Sequence, residues 1–228
     1  GPAFILGVVG AGVFASSKVG LLLYLAHPAA SVCVGFLFRF YKREGKRRER
    51  RASPTFEAER ITVAFTGAIK NSFLSTLNIC AFVVFFTVVI KLLFLSGLLP
   101  GLAGVLGALL SPLGFSTQWA ERLLTGLIEL TSGVWTLIGD GSTSGKLSMA
   151  AFLLGWAGLS VHCQVLSFIG GSGLSVKTYI GGKLLHGGLS ALFTAALLRV
   201  FPLSEPVSAY LAEQVEGLAG VDFSRALT

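Results

Sequence analysis

Charge is the first scarcity. Charged residues make up 13% of the 228 positions, about half the share usual in a soluble domain. A soluble domain of this size could not hide the 53% of its residues that are hydrophobic, so the solvent around much of the chain must be lipid. A mean hydropathy of +0.78 agrees. Cysteine is scarce too: Cys33, Cys80 and Cys163 lie far apart in apolar stretches, an odd number without CxxC or Cys/His spacing. That pattern excludes a disulfide framework and a metal site, and reads as packed free thiols. There is no GxSxG, HExxH or GxxxxGK[ST] run and histidine occurs only three times, so no enzyme activity and no cofactor are expected.

Positive charge is present, but gathered. Of the 18 Lys and Arg residues, eight fall between Arg39 and Arg51 in FRFYKREGKRRERR (Phe38–Arg51). Because this run directly follows an apolar segment, it reads as a cytoplasmic topology anchor rather than a nucleic-acid patch, with contact to anionic lipid compatible. The partners expected on composition are therefore the lipid bilayer and no nucleic acid.

Along the chain, GPAFILGVVGAGVF is apolar but short and glycine-rich, and no charged region precedes it, so it is not read as a secretory signal. Val19–Phe40 has the length of a membrane helix, with Pro28 expected to kink it. Pro54–Lys70 reads as an interfacial or short cytoplasmic helix, and Phe73–Leu99 as the clearest span, with Lys91 toward its far end. Pro100–Gly114, bounded by prolines, suits a short or re-entrant helix. Gln118–Thr136 is apolar but interrupted at Thr131-Ser132-Gly133. Leu147–Ser160 is a second arm, interrupted by GLSVHCQVLSFIGGSG (Gly158–Gly173). Val176–Phe201 can span, and residues 202–228 form an acidic tail. The expected fold is all-α: a polytopic helical membrane protein with broken or re-entrant helices.

Between Ile61 and Val200 only Glu121, Glu129 and Asp140 are acidic, and Glu129 alone sits among apolar neighbours. A charge at membrane depth costs roughly 2.5–3.5 kcal/mol on insertion scales, so it needs a partner, a proton or a wet cavity. Two readings stay open: a glutamate capping amides of a neighbouring half-helix, or a substrate or proton site at a helix break. Thr131 and Ser132 supply small hydroxyls there, and Gly133 permits the bend. At the second interruption His162 and Gln164, flanked by Ser160 and Ser167, would both face a cavity on unwound backbone. Their alternative is interhelical hydrogen bonding. Lys183, with His186 about a turn away, can complement an anion or bond to carbonyls of a neighbouring helix.

A faint internal echo sets Gly10 against Gly170, pairing Leu25 with Leu185, Leu37 with Leu197 and Arg39 with Arg199. Repeats with broken helices in matching positions are common among membrane transporters.

The composite of LIELTSGV, FLLGWAGLSVHCQVLSFI and YIGGKLLHGGLSALFTAALLR, with GPAFILGVVGAG and AHPAASVCVGFLFRFYKR before it, resembles the YlbJ/SpoVV-like sporulation integral membrane proteins of spore-forming Firmicutes. The core of that family is a gate, or nucleoside-recognition-like, domain. The resemblance covers residues 1 to about 201 and is specific in ELTSG and GWAGLSVHCQ. It implies the end of a first gate-like repeat at 1–41, a basic loop and interfacial helix at 42–70, a second gate-like repeat at 71–201, and the tail at 202–228. It also implies that an N-terminal half belongs ahead of Gly1, or that copies of the chain associate. The implied function is movement of a small anionic metabolite, dipicolinic acid, across the outer forespore membrane. Substrate contacts would come from Glu129, Thr131, Ser132, Gly133, Ser160, His162, Gln164 and Lys183. A noncatalytic scaffold for cortex or coat assembly is the other expectation.

Overall fold

Serine recurs ahead of apolar stretches in this chain, and four of the helices begin on one. The computed structural model describes residues 1–40, 61–169 and 175–203. Ser16, Ser116, Ser142 and Ser175 each turn their hydroxyl back to an amide three residues on, satisfying one of the donors a helix start leaves open. The helices are α1 (Ser17–Phe38), α2 (Ile61–Leu95), α3 (Leu98–Leu110), α4 (Thr117–Ile128), α5 (Leu130–Trp135), α6 (Thr143–Trp156), α7 (Gly158–Ile169) and α8 (Val176–Val200). A π-helix, Phe4–Val13, precedes α1, and a short 3-10 turn, Ser111–Leu113, follows α3. Among the described residues no strand occurs. The protein is an all-α membrane protein.

Among the described residues three segments are long and apolar enough to cross a bilayer: Ser17–Phe38, Ile61–Leu95 and Thr143–Ser167, the last combining α6 with most of α7. Their burial differs in kind. In the most apolar window of α6–α7, 61% of residues are buried, against 11% in α2. So α6–α7 is the central element, and α2 stands at the lipid-facing edge with only Phe86 and Ile90 buried. Pro28 is accommodated inside α1 with its ring exposed.

The apolar core joins Ile5, Val9 and Val13 of the π-helix, Val19 and Leu23 of α1, and Leu147, Ala150 and Leu153 of α6. Helix α6 packs on α8 with almost no side chain between them. A Cβ on Gly155 would come within 2.5 Å of Gly187 Cα, so only glycine allows that approach.

Two expected boundaries move. The helix expected to end at Lys70 and the span expected from Phe73 are one continuous α2, because Asn71 and Ser72 stay on an exposed surface and leave the backbone ladder intact. That span ends at Leu95, where Gly97 takes φ +74, a left-handed conformation open to glycine at little cost. Residues 54–60 of the expected interfacial helix, the basic run beyond Phe40, and the acidic tail beyond Leu203 lie outside the described residues.

Candidate functional site

The long apolar segment holding Glu129 does break, but not where its small residues suggest. Glu129 itself leaves the helix, with extended φ −140 and ψ 122, ending α4 and starting α5. Its carboxylate folds forward and accepts from the amides of Thr131 (2.9 Å) and Ser132 (2.6 Å). At 1% exposure, this acid is fully enclosed. A carboxylate at a helix N-terminus meets both free donors and the positive end of the dipole, so it supplies its own local counter-charge. The capping alternative is therefore the one realised, with Glu129 capping the half-helix that follows it. Thr131, Ser132 and Gly133 lie inside α5 rather than forming the break.

Gly133 earns its position by contact instead. A Cβ there would overlap Gly126 Cα, so α5 folds tightly against the last turns of α4. The Ser132 hydroxyl lies 3.4 Å from that of Thr87 on α2.

The second break is a two-residue event. Ala157 at φ +82 and Gly158 at φ +80 are both left-handed, separating α6 from α7. The expectation of unwound backbone around residues 160–167 is corrected: Ser160, His162 and Gln164 all sit on α7, which runs regularly from Gly158 to Ile169. Two consecutive left-handed residues already interrupt the helix, while α6 and α7 together still make one segment of bilayer-crossing length; residues 170–174 lie outside the described residues.

The two breaks touch. A Cβ on Gly158 would lie 2.9 Å from Leu130 N, 3.3 Å from Gly126 O and 3.4 Å from the carbonyl carbon of Glu129. Four helix ends thus converge on one point. The α4 end is closed by Trp156, whose indole N–H donates to Leu127 O at 3.3 Å. The α5 start is closed by Glu129.

Around this crossing, buried polar atoms stand without hydrogen-bond partners: Thr125 Oγ1, Ser160 Oγ, His162 Nε2 and Gln164 Nε2. A buried polar group without a partner costs about 1–3 kcal/mol, so each is a candidate contact for a water or a polar ligand. His162 Nδ1 pairs with the Tyr179 hydroxyl at 3.0 Å, and its ring meets Trp156 edge-on with centroids 4.4 Å apart. Lys183 lies one helical turn beyond Tyr179 and within electrostatic reach of His162. The predicted residues therefore form two neighbouring groups, Glu129–Ser132 with Ser160 at the crossing, and His162 with Lys183 toward α8. Gln164 lies one turn past Ser160 on α7. Ala157, Trp156 and Tyr179 escaped the sequence reading, in which the interruption begins at Gly158. A tryptophan two residues before a glycine, inside an otherwise apolar arm, was the available signal.

Among the described residues no group of three or more His, Cys, Asp or Glu side chains is placed to hold a metal ion.

The chain is similar to the sporulation integral membrane protein YlbJ of Bacillus subtilis (strain 168), with 26% identity over 215 residues. The match takes in 86% of this chain and 52% of that protein. The chain spans about half the length of that YlbJ protein. No protein-family model matches the chain, and no solved structure does.

Proposed function

We propose that this chain is the part of a membrane transporter that moves a small anionic metabolite, dipicolinic acid, across the outer forespore membrane during sporulation. The sporulation setting is drawn from the similarity to YlbJ. The reading is carried by one observation: two broken helices cross at a buried point flanked by unpartnered polar atoms. An uninterrupted helix satisfies its own backbone in lipid, so breaks at membrane depth are tolerated where they line a cavity or are closed by side chains. Here two of the ends are closed from within the chain, by Glu129 and Trp156. The α7 start, with Ser160 in its first turn, is left as the helix end toward which an anion would be drawn.

Glu129 in this reading is the gate rather than the binding group. Its carboxylate fills the amide cradle of α5, so a substrate carboxylate competes for that cradle or passes it by. Uptake of radiolabelled dipicolinate into proteoliposomes tests the reading, comparing the native chain with Glu129→Gln and Gln164→Ala. Each substitution is expected to slow flux at least about tenfold, the loss that one charge-assisted or buried hydrogen bond of roughly 1.4 kcal/mol produces. Native-level flux in both variants sinks the proposed site. No flux from the native chain sinks the transport reading.

A further inference from the structure

Helix α8 carries a lysine into the packed region with no acid among the described residues to meet it. Lys183 is half-buried, and the described carboxylates are Glu121, Glu129 and Asp140. Glu129 is held by the α5 amides. Asp140 acts on Arg122 and Lys146 at the far end of α6. Among the described residues no carboxylate is left to pair with Lys183.

Histidine contacts lie on either side of Lys183 along α8. One turn on, His186 Nε2 lies 3.0 Å from the backbone oxygen of His27 on α1, and the two imidazole rings sit 4.4 Å apart, centroid to centroid. Only a donor suits that oxygen, so His186 Nε2 carries a hydrogen and donates. On α8, Lys183 falls four residues after Tyr179, which bonds His162, and three before His186, which bonds the backbone oxygen of His27, so the three share one helix face. Two nitrogens in this set, His27 Nδ1 and His162 Nε2, are buried with no hydrogen-bond partner, and His162 is 1% exposed. Along one face of α8 an ammonium thus stands between the points where α7 and α1 bring imidazoles with open nitrogens, and none of the described residues supplies a counter-charge. A cation in that setting favours an anion that fits there, and charge-assisted hydrogen bonds are the strong ones.

We propose that Lys183, His186 and His27, with His162 facing them from α7, form an anion subsite between α1, α7 and α8 that holds an anionic oxygen group delivered by a soluble carboxylate. The choice of a soluble carboxylate over a phospholipid headgroup rests on the transport reading. The subsite's demand for anionic oxygen does not. It also gives α1 a place in the site, which the crossing of the breaks does not require.

The test is binding to the full chain in phosphatidylcholine nanodiscs, titrated with dipicolinate and, in a control, with the uncharged pyridine-2,6-dicarboxamide. Lys183→Gln is expected to weaken dipicolinate binding at least about tenfold, while Lys183→Arg, which keeps the charge, stays within about threefold. Histidine ring nitrogens labelled with 15N should shift on titration in the native chain and not in Lys183→Gln. A second arm adds phosphatidylglycerol and follows its retention by native mass spectrometry. Dipicolinate bound equally by the native chain and Lys183→Gln overturns the subsite while leaving transport standing. Lys183-dependent retention of phosphatidylglycerol without dipicolinate binding overturns the soluble source and the transport reading, and upholds the subsite. A native chain that binds neither overturns both.

Discussion

Glu129 bonds to the amides two and three residues ahead of it, a role more often given to the shorter Ser, Thr, Asp or Asn. That preference explains why the sequence points to Glu129 as unusual and yet not to the break's position. Thr131, Ser132 and Gly133 look like the weak point, whereas the longer acid bends back past them. Removing it should be costly. Glu129→Ala leaves two buried amides without acceptors, and unfolding in mixed micelles should show a loss of about 2 kcal/mol or more. Glu129→Gln keeps one oxygen and should lose roughly half as much. The second break offers the opposite sign at its first residue. Ala157 holds φ +82, where a side chain costs about 1–2 kcal/mol, so Ala157→Gly should raise stability by about 1 kcal/mol in the same assay. Gly158→Ala should destabilise, because its Cβ meets Leu130 N at 2.9 Å as well as an unfavourable φ.

At the scale of elements, hydropathy made the spans legible. Ser17–Phe38 and the later part of α2 were readable, as Val19–Phe40 and Phe73–Leu99, because their apolar runs reach bilayer length, whereas the α6–α7 segment was legible only as a broken arm. The existence of two interruptions was also readable, from glutamate and glycine where lipid-facing residues belong. Their geometry was not, since it depends on contacts across the chain: Trp156 on Leu127 O, and Gly158 on Leu130. Nor was the union of residues 61–72 with the α2 span, because Asn71 and Ser72 suggest a boundary that an exposed helix face absorbs. These contacts make α4–α5 and α6–α7 one packed unit. Gly133→Ala should prise it apart and cost several kcal/mol, roughly the range of overpacked cores. Gly101→Ala in α3, where an added Cβ meets nothing within 4 Å, should leave the melting midpoint unchanged or slightly raised. Trp156→Phe keeps the ring and removes the donor to Leu127 O; a loss of about 1–2 kcal/mol is expected from the unpaired carbonyl.

For the whole molecule, the arrangement sets a packed centre of α1, α4–α8 and the π-helix against a helix, α2, that turns most of its surface outward. Cys80, exposed on α2, gives that difference a handle. With Cys33 and Cys163 replaced by alanine, a spin label on Cys80 should relax fast with dissolved oxygen and slowly with a water-soluble nickel chelate. The reverse ratio would place that face in water. Helix α2 also has a dimension worth following outward. Its 35 residues reach about 52 Å at 1.5 Å each, against a hydrocarbon layer of about 30 Å. Lys70, Asn71 and Ser72 mark a natural waterline, leaving the turns from Ile61 to Ile69 standing clear of the lipid with Ile61, Val63, Phe65 and Ile69 bare. A thicker membrane would draw those turns in and a thinner one would push them out, so how much of this bare face meets water is set by how thick the local bilayer is.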